Sequence, residues 1–311
     1  MKKLMKSKKK ELKFGLIGHP LKHSLSPVIH KAIMKQWKIK GSYELFDVAE
    51  KDFRKKANEL ISSLDGFNIT IPYKEKISGL TDENDESAPI LGAVNTVGGS
   101  KGYNTDLGGL AGYNIAFGGK KVCILGAGGV SRVMLYLSLL GSAGEICICV
   151  RNREQGENLA VEFMEMFPKS IIKVNTFEEL DGHYDIILNG TPVGMWPECE
   201  YIPISDKIIK NSEYVFDSIY NPLSTRLLLK ARSYGIKAQS GLEMLVNQAV
   251  KAQKIWNPDK IDENFDMEKI IPLLRSELLK KFPVKYVLTG FMGSGKSTVG
   301  KKLAKELGLE F

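Results

Sequence analysis

Residues 121–131 read KVCILGAGGVS. The first five are rich in β-branched and apolar residues, the pattern of a strand buried on both faces, and Gly126, Gly128 and Gly129 follow at once. Residues 130–140 (VSRVMLYLSLL) then carry apolar side chains at helical spacing and stop at Gly141, so the stretch predicts strand, glycine turn, helix. The next apolar run, residues 145–150 (EICICV), predicts the parallel return strand of a βαβ unit. It comes about 20 residues after the turn, the separation a dinucleotide-binding unit requires. In such a unit the glycines let backbone N–H groups approach a pyrophosphate at a helix N-terminus. The pattern G-x-G-x-x-G is incomplete, because Ser131 stands at its last position. A plain βα turn that needs glycine for close packing is the alternative.

Around this unit, 311 residues at 43% apolar and 26% charged leave room for two domains and a short remainder. The net charge of +8 does not point to nucleic acid. Residues 1–13 hold seven Lys against one Glu and residues 280–311 seven Lys against two Glu, so the excess sits at the ends and the body is mildly acidic. The start, MKKLMKSKKKELKF, has the charge of a signal n-region without an apolar run behind it and reads as a solvated basic tail of a cytoplasmic protein. No stretch reads as a membrane span. Cys123, Cys147, Cys149 and Cys199 form no C-x-x-C and are expected to be reduced, the first three in buried strands. His19, His23, His30 and His183 show no ligand spacing, so no metal site is expected.

Upstream, residues 13–18 predict a first strand and residues 19–27 (HPLKHSLSP) a loop that opens a helix, with Ser26 as N-cap and Pro27 at its first position. Ser24 has no capping role in this reading, and two hydroxyls beside a helix N-terminus suit a small carboxylate. Strands over 43–48 and 66–71 flank a helix over 52–64. Pro72 ends the third strand and puts Lys74 in the first turn of a further helix, where a cation opposes the macrodipole. Residues 91–97 and 101–109 form a turn-rich pair carrying Asn95, Asn104, Thr105 and Asp106, with Asp106 as N-cap of an apolar run over 107–117.

Together, SLSP (24–27), NITIPYK (68–74), GAVNT (92–96), YNTD (103–106), GAGG (126–129), NGTPVGM (189–195), FDSIYNP (216–222) and GLEMLVNQA (241–249) resemble the shikimate dehydrogenase family, in order, over residues 14–256. The resemblance implies an α/β protein of two domains. A discontinuous substrate domain spans residues 14–108 and returns as a helix over 240–256; a Rossmann-like NADP-binding domain spans 109–239. It implies reversible reduction of 3-dehydroshikimate to shikimate with NADPH, in aromatic amino acid biosynthesis, by a monomer or homodimer. The catalytic pair falls on Lys74 and Asp106. This is sensible chemistry, since a carbonyl that receives hydride becomes an alkoxide, which an ammonium paired with a carboxylate can stabilise and protonate. The same matching puts the substrate carboxylate at Ser24 and Ser26 with Tyr220 nearby, and the ring hydroxyls at Thr70, Asn95, Asp106 and Gln248. The cofactor falls to Glu86, Gly126, Ala127, Gly128, Gly129, Val130, Asn152, Arg153, Ser218 and Gly241.

Cofactor preference turns on the residues after the return strand. A basic residue there suits a 2′-phosphate and an acidic one a free ribose. Asn152 and Arg153 match the family's N-R-T and favour NADP, whereas Glu154 replaces the Thr and leaves NAD open. Two alternatives therefore stand beside the first reading: a quinate/shikimate dehydrogenase using NAD, and a non-catalytic cofactor- or shikimate-binding protein on the same fold.

The end of the chain is a separate matter. Residues 257–266 (NPDKIDENFD) read as a linker within 257–283, followed by a helix over 267–281. Residues 286–289, GFMGSGKST (290–298) and the run to Leu307 predict a strand, a Walker A loop with Gly290, Gly295, Lys296 and Ser297, and a helix. These words resemble the opening of shikimate kinase. Residues 284–311 supply one βα unit without a Walker B carboxylate, so they are expected to be an incomplete kinase-like fragment without kinase activity.

Overall fold

Two six-stranded sheets organise the chain. The computed structural model describes residues 11–22, 24–260, 265–282 and 288–307. The first sheet holds β1 (Leu12–Gly18), β2 (Gly41–Asp47), β3 (Gly66–Ile69), β4 (Glu83–Asn84), β5 (Thr96–Gly98) and β6 (Lys101–Tyr103), in the order β2-β1-β3-β5-β6-β4. β1 runs parallel to β2 and β3, and β5 turns back antiparallel between β3 and β6. Its helices are α1 (Ser26–Gln36), α2 (Phe53–Ser63), α3 (Ser87–Leu91) and α4 (Asp106–Ala111). The stripe Ile29, Ile33 and Met34 on α1, and Phe53, Ala57 and Leu60 on α2, recur at helical spacing and are buried.

One expected helix is absent. After Ile69 the chain makes turns and a single 3-10 turn, Ile77–Gly79. Tyr73 explains it: the ring is fully buried and stacked on Phe53 at 4.1 Å, and its N–H donates to Thr70 O at 3.0 Å, so the chain folds inward at once. Lys74 therefore sits in a turn, and the macrodipole argument does not apply to it. The helix expected over 107–117 likewise ends at Ala111, where Gly112 follows.

The second sheet holds β7 (Lys121–Leu125), β8 (Glu145–Val150), β9 (Ile172–Thr176), β10 (Ile186–Asn189), β11 (Tyr214–Asp217) and β12 (Lys237–Ser240). All pairings are parallel, in the order β12-β11-β10-β7-β8-β9. Its helices are α5 (Gly129–Leu140), α6 (Arg153–Met166), α7 (Asp206–Lys210) and α8 (Arg226–Ser233). Burial on both faces is why β7, β8, β10 and β11 read as continuous apolar runs. Strand order reverses between β7 and β10, so the crevice beyond their carboxyl ends, at Gly126 and Gly190, is the switch point where an open α/β sheet takes its ligand. Cys123, Cys147 and Cys149 are buried free thiols within this sheet.

α9 (Leu242–Trp256) leaves the second sheet and packs on α4, α1 and β5 of the first. Its anchor is Trp256, stacked on Phe14 at 4.9 Å and donating from Nε1 to Val97 O at 2.8 Å. Gly66 lies under this indole; a methyl there would overlap Nε1 and Cδ1 and stand 2.7 Å from Cε2. Gly66→Ala is expected to destabilise the protein by about 1–3 kcal/mol, the range for overpacking a filled core. Urea unfolding with an unchanged m-value would measure it, and a midpoint equal to wild type would sink the packing argument.

Beyond Trp256, Phe265 meets Trp37 edge-on at 5.9 Å, and the Gln36 amide exchanges two hydrogen bonds of 3.1 Å with the Asp266 backbone. A short 3-10 turn, Met267–Lys269, leads to α10 (Ile271–Lys281). Residues 276–311 form a separate compact unit. In it the strand expected over 286–289 begins outside the described residues, Leu288 and Thr289 are irregular, and α11 (Lys296–Leu307) follows the glycine loop. Lys296 Nζ donates to Gly290 O at 2.8 Å and Phe291 O at 2.6 Å, folding across that loop.

Candidate active site

The glycine turn leaves β7 through Gly126 at φ +96°, a conformation that L side chains rarely adopt. Its N–H donates to Cys149 O at 2.8 Å, and Gly128 caps α5. Methyl groups at Gly128 or Gly129 would meet nothing within 4 Å, so both face open space in front of the α5 N-terminus. This is the cradle a pyrophosphate requires, with Ala127 and Val130 half-buried beside it. Ser131, the departure from the fingerprint, is fully buried. Gly190 at the end of β10 makes its room: a methyl there would overlap Ser131 Oγ and lie 3.3 Å from Leu125 O. The glycine required for close helix–strand packing has moved to the neighbouring strand.

At the end of β8, Asn152 caps α6, accepting from Gln155 N–H at 3.5 Å. Arg153 donates to Val174 O at 3.1 Å and pairs with Glu179, whose carboxylate also accepts the Thr176 N–H. Glu154 is exposed on the same first turn and forms no ion pair among the described residues.

On the first sheet, Lys74 Nζ stands 2.7 Å from Asp106 Oδ2, with the two side chains 29% and 16% exposed, so the pair is open to a ligand yet partly dehydrated. One short segment holds both. Val94 N–H donates to Lys74 O at 2.8 Å; Asn104 Nδ2 donates to Ala93 O at 2.9 Å and Asn104 Oδ1 accepts Asp106 N–H at 3.1 Å. Asp106 begins α4 and its carboxylate meets Lys74; the expected N-cap role falls away, Thr105 occupying that position. Asn95 Oδ1 accepts from Thr105 N–H at 2.8 Å and from the Thr105 and Thr96 hydroxyls at 3.0 Å. This fixes the carboxamide orientation and leaves only its NH2 to meet a ligand oxygen. Thr70, where β3 ends, is half-buried.

The N-cap role expected of Ser26 falls away. Ser26 is the first residue of α1, Leu25 holds the N-cap position without a side-chain cap, and the Ser26 N–H donates to Ser24 Oγ at 3.2 Å. Gln248 on α9 donates back to Leu245 O at 2.8 Å instead of pointing to the pair. Glu86 is exposed at the start of α3, where Asp85 does the capping.

The loop after β11 carries Ser218 and Tyr220, and sequence reasoning missed its organiser, Asp217. This carboxylate is fully buried and accepts from Asn189 Nδ2 at 3.0 Å, Ile219 N–H at 3.1 Å and Thr225 Oγ1 at 2.6 Å. Burial pushes its pKa up to about 6 despite these donors. The only signal available was the joint presence of NGT and FDS at two strand ends.

Fold and site define a two-domain α/β dehydrogenase, with a dinucleotide-type switch point on one sheet and a Lys–Asp pair on the other. Residues 16–97 match the family model described as the shikimate dehydrogenase substrate binding domain. A shikimate dehydrogenase (NADP(+)) of Caldanaerobacter subterraneus subsp. tengcongensis is 38% identical over 83% of this chain and 95% of its own. The crystal structure of shikimate dehydrogenase 1 from Peptoclostridium difficile superposes with TM-score 0.75 at 36% identity, covering 86% of this chain and 99% of that one. A shikimate dehydrogenase in complex with NADP+ superposes with TM-score 0.77 at 33% identity, covering 88% and 96%. The chain belongs to the shikimate dehydrogenase family.

Proposed function

We propose that this chain interconverts 3-dehydroshikimate and shikimate with NADP(H). The observation that carries the reading is the Lys74–Asp106 pair at 2.7 Å, with its two side chains 29% and 16% exposed. When bound, the nicotinamide supplies or accepts the hydride. The protein's own part is acid–base and electrostatic. Lys74 Nζ, hydrogen-bonded to Asp106, donates a proton to the oxygen that becomes an alkoxide, and removes it in the reverse direction. Ser24, Ser26 and Tyr220 receive the substrate carboxylate, while Thr70, Asn95, Asp106 and Gln248 meet the ring hydroxyls. Gln248 would have to release Leu245 O to do so.

For the cofactor, the open faces of Gly128 and Gly129 at the α5 N-terminus fit a pyrophosphate. Asn152 and Arg153 lie where a 2′-phosphate is read, with Glu86, Gly126, Ala127, Val130, Ser218 and Gly241 completing the set. A second reading, a quinate/shikimate dehydrogenase using NAD, is favoured by the Arg153–Glu179 pair, which already occupies that guanidinium, and by Glu154 beside it. Initial rates with both cofactors and both substrates separate the two. Arg153→Ala is expected to raise KM for NADPH about 10- to 100-fold, the loss of a charge-assisted phosphate contact, and to leave KM for NADH nearly unchanged. Fast NADH turnover of dehydroquinate with no NADPH turnover of dehydroshikimate would overturn the first reading. The loop carrying Gly290, Gly295, Lys296 and Ser297 is read as a shikimate kinase-like P-loop that takes no part in this reaction.

A further inference from the structure

Arg132 belongs to the first turn of α5, its N–H donating to Gly128 O at 3.0 Å. Its side chain leaves the second sheet altogether. Nε donates to Leu91 O at 2.9 Å and Nη2 to Ile90 O at 3.1 Å, the last-turn carbonyls of α3. These are acceptors a helix end leaves without intrahelical partners, and a cation is favoured beside them. Glu162 on α6 backs the guanidinium from the other side, taking Nη1 at 2.9 Å and also Nη2, and the Phe163 ring lies 5.4 Å away. The side chain is 19% exposed and every face of its fork is engaged, so its position is determined by three helices at once.

What lies beyond the clamp gives it consequence. Gly92 turns the chain at φ +64°, and the next two residues are those that hold the acid–base pair: Ala93 through Asn104 to Asp106, and Val94 directly to Lys74. From the N-terminal turn of α5 the Arg132 side chain therefore reaches the end of α3, and within three residues of backbone further on hydrogen bonds at Ala93 and Val94 lead to Asp106 and Lys74.

We propose that Arg132 is a positioning residue, gripping the α3 carboxyl end so that the Lys74–Asp106 pair stands at a fixed place relative to the glycine loop of β7–α5. It touches neither substrate nor cofactor in this assignment. The inference rests on the dehydrogenase reading above; a wild-type chain that turns over no dehydroshikimate would refute that reading and leave this one to be judged on exchange and binding alone.

Arg132→Gln on the full chain is expected to lower kcat about 10- to 100-fold, the scale of a 1 Å misplacement, because Gln cannot span to both carbonyls. KM for dehydroshikimate and the calorimetric Kd for NADP+ are expected to stay within about threefold, since neither ligand loses a direct contact. Amide hydrogen exchange should quicken at Ala93 and Val94 in the absence of any ligand. Arg132→Lys, which keeps the charge and can reach one carbonyl, should recover part of kcat. Should Arg132→Gln fail to fold, Glu162→Gln loosens the guanidinium from behind and should lower kcat about threefold with the same exchange signature. Faster exchange with an unchanged kcat would overturn the proposal in favour of a purely structural clamp. A Kd for NADP+ weakened as much as kcat/KM falls would overturn it in favour of a cofactor ligand.

Discussion

Replacing Lys74 by alanine is expected to lower kcat for dehydroshikimate reduction by about 10²- to 10⁴-fold, the range lost when a positioned proton donor is removed. The physical reason is that the substrate carbonyl needs little from an ammonium, whereas the alkoxide it becomes needs both charge and a proton. In the proposed reaction Lys74 Nζ, held by Asp106 at 2.7 Å, supplies both without reorganising. Binding should suffer little. In the proposed assignment the ring hydroxyls retain Thr70, Asn95 and Asp106, so the calorimetric Kd for shikimate should move by less than about fivefold, as for an interaction made mainly in the transition state. Folding should survive, because the carboxylate left behind keeps contact with solvent, its side chain being 16% exposed. Asp106→Asn is expected to match the Lys74 variant within about tenfold, since residues acting as one unit lose their effect together. Equal and small effects on rate and affinity would instead support a binding protein without turnover.

How much of this could be read from the chain itself differs from residue to residue. The β7 strand and its glycine turn were legible because a doubly buried parallel strand and a positive-φ turn each restrict composition locally. The Lys74–Asp106 pair was not legible from spacing: the two lie 32 residues apart on different elements, and only the family resemblance joined them. Local rules misjudged Lys74 as helical because they could not weigh the burial of Tyr73 against Phe53, a tertiary contact. They also gave the capping role to Ser26, when the helix begins one residue earlier and Leu25 holds the N-cap position. Ser131 shows the limit most clearly. Its mismatch with the fingerprint was visible, but the compensating Gly190 sits on another strand, and nothing in the sequence ties the two. Asp217 and Arg132 belong to the same class, because a buried carboxylate and a cross-sheet guanidinium are defined only by the partners the fold brings to them.

Gly241→Ala is expected to lower kcat/KM by about 100-fold or more, the loss that accompanies an ångström-scale shift of a site. The backbone at Gly241 has φ −71°, so alanine meets no conformational penalty and the effect is one of space alone. The methyl would overlap Ser218 O and stand 2.6 Å from Ser218 C and 3.1 Å from Ser218 Cα. These are backbone atoms and cannot rotate away. The surroundings resist a shift as well. Gly241 N–H donates to Ile219 O at 3.2 Å, and Tyr113 OH donates to Ser240 O at 2.6 Å while accepting Met244 N–H at 2.8 Å. The loop carrying Ser218 and Tyr220 must therefore move away from the start of α9, separating two proposed cofactor contacts and displacing a third, substrate-side one. Stability should fall by about 1–3 kcal/mol, as in other overpacked sites, which leaves a folded enzyme to assay. Gly128→Ala makes the contrast that isolates the cause. Its methyl meets nothing within 4 Å, so unfolding should stay within about 0.5 kcal/mol of wild type. KM for NADPH should nevertheless rise, because that open space is the cradle proposed for the pyrophosphate. A Gly241→Ala enzyme with wild-type kcat/KM would show that the β11 loop and α9 can separate freely, and a Gly128→Ala enzyme with unchanged KM for NADPH would place the pyrophosphate elsewhere.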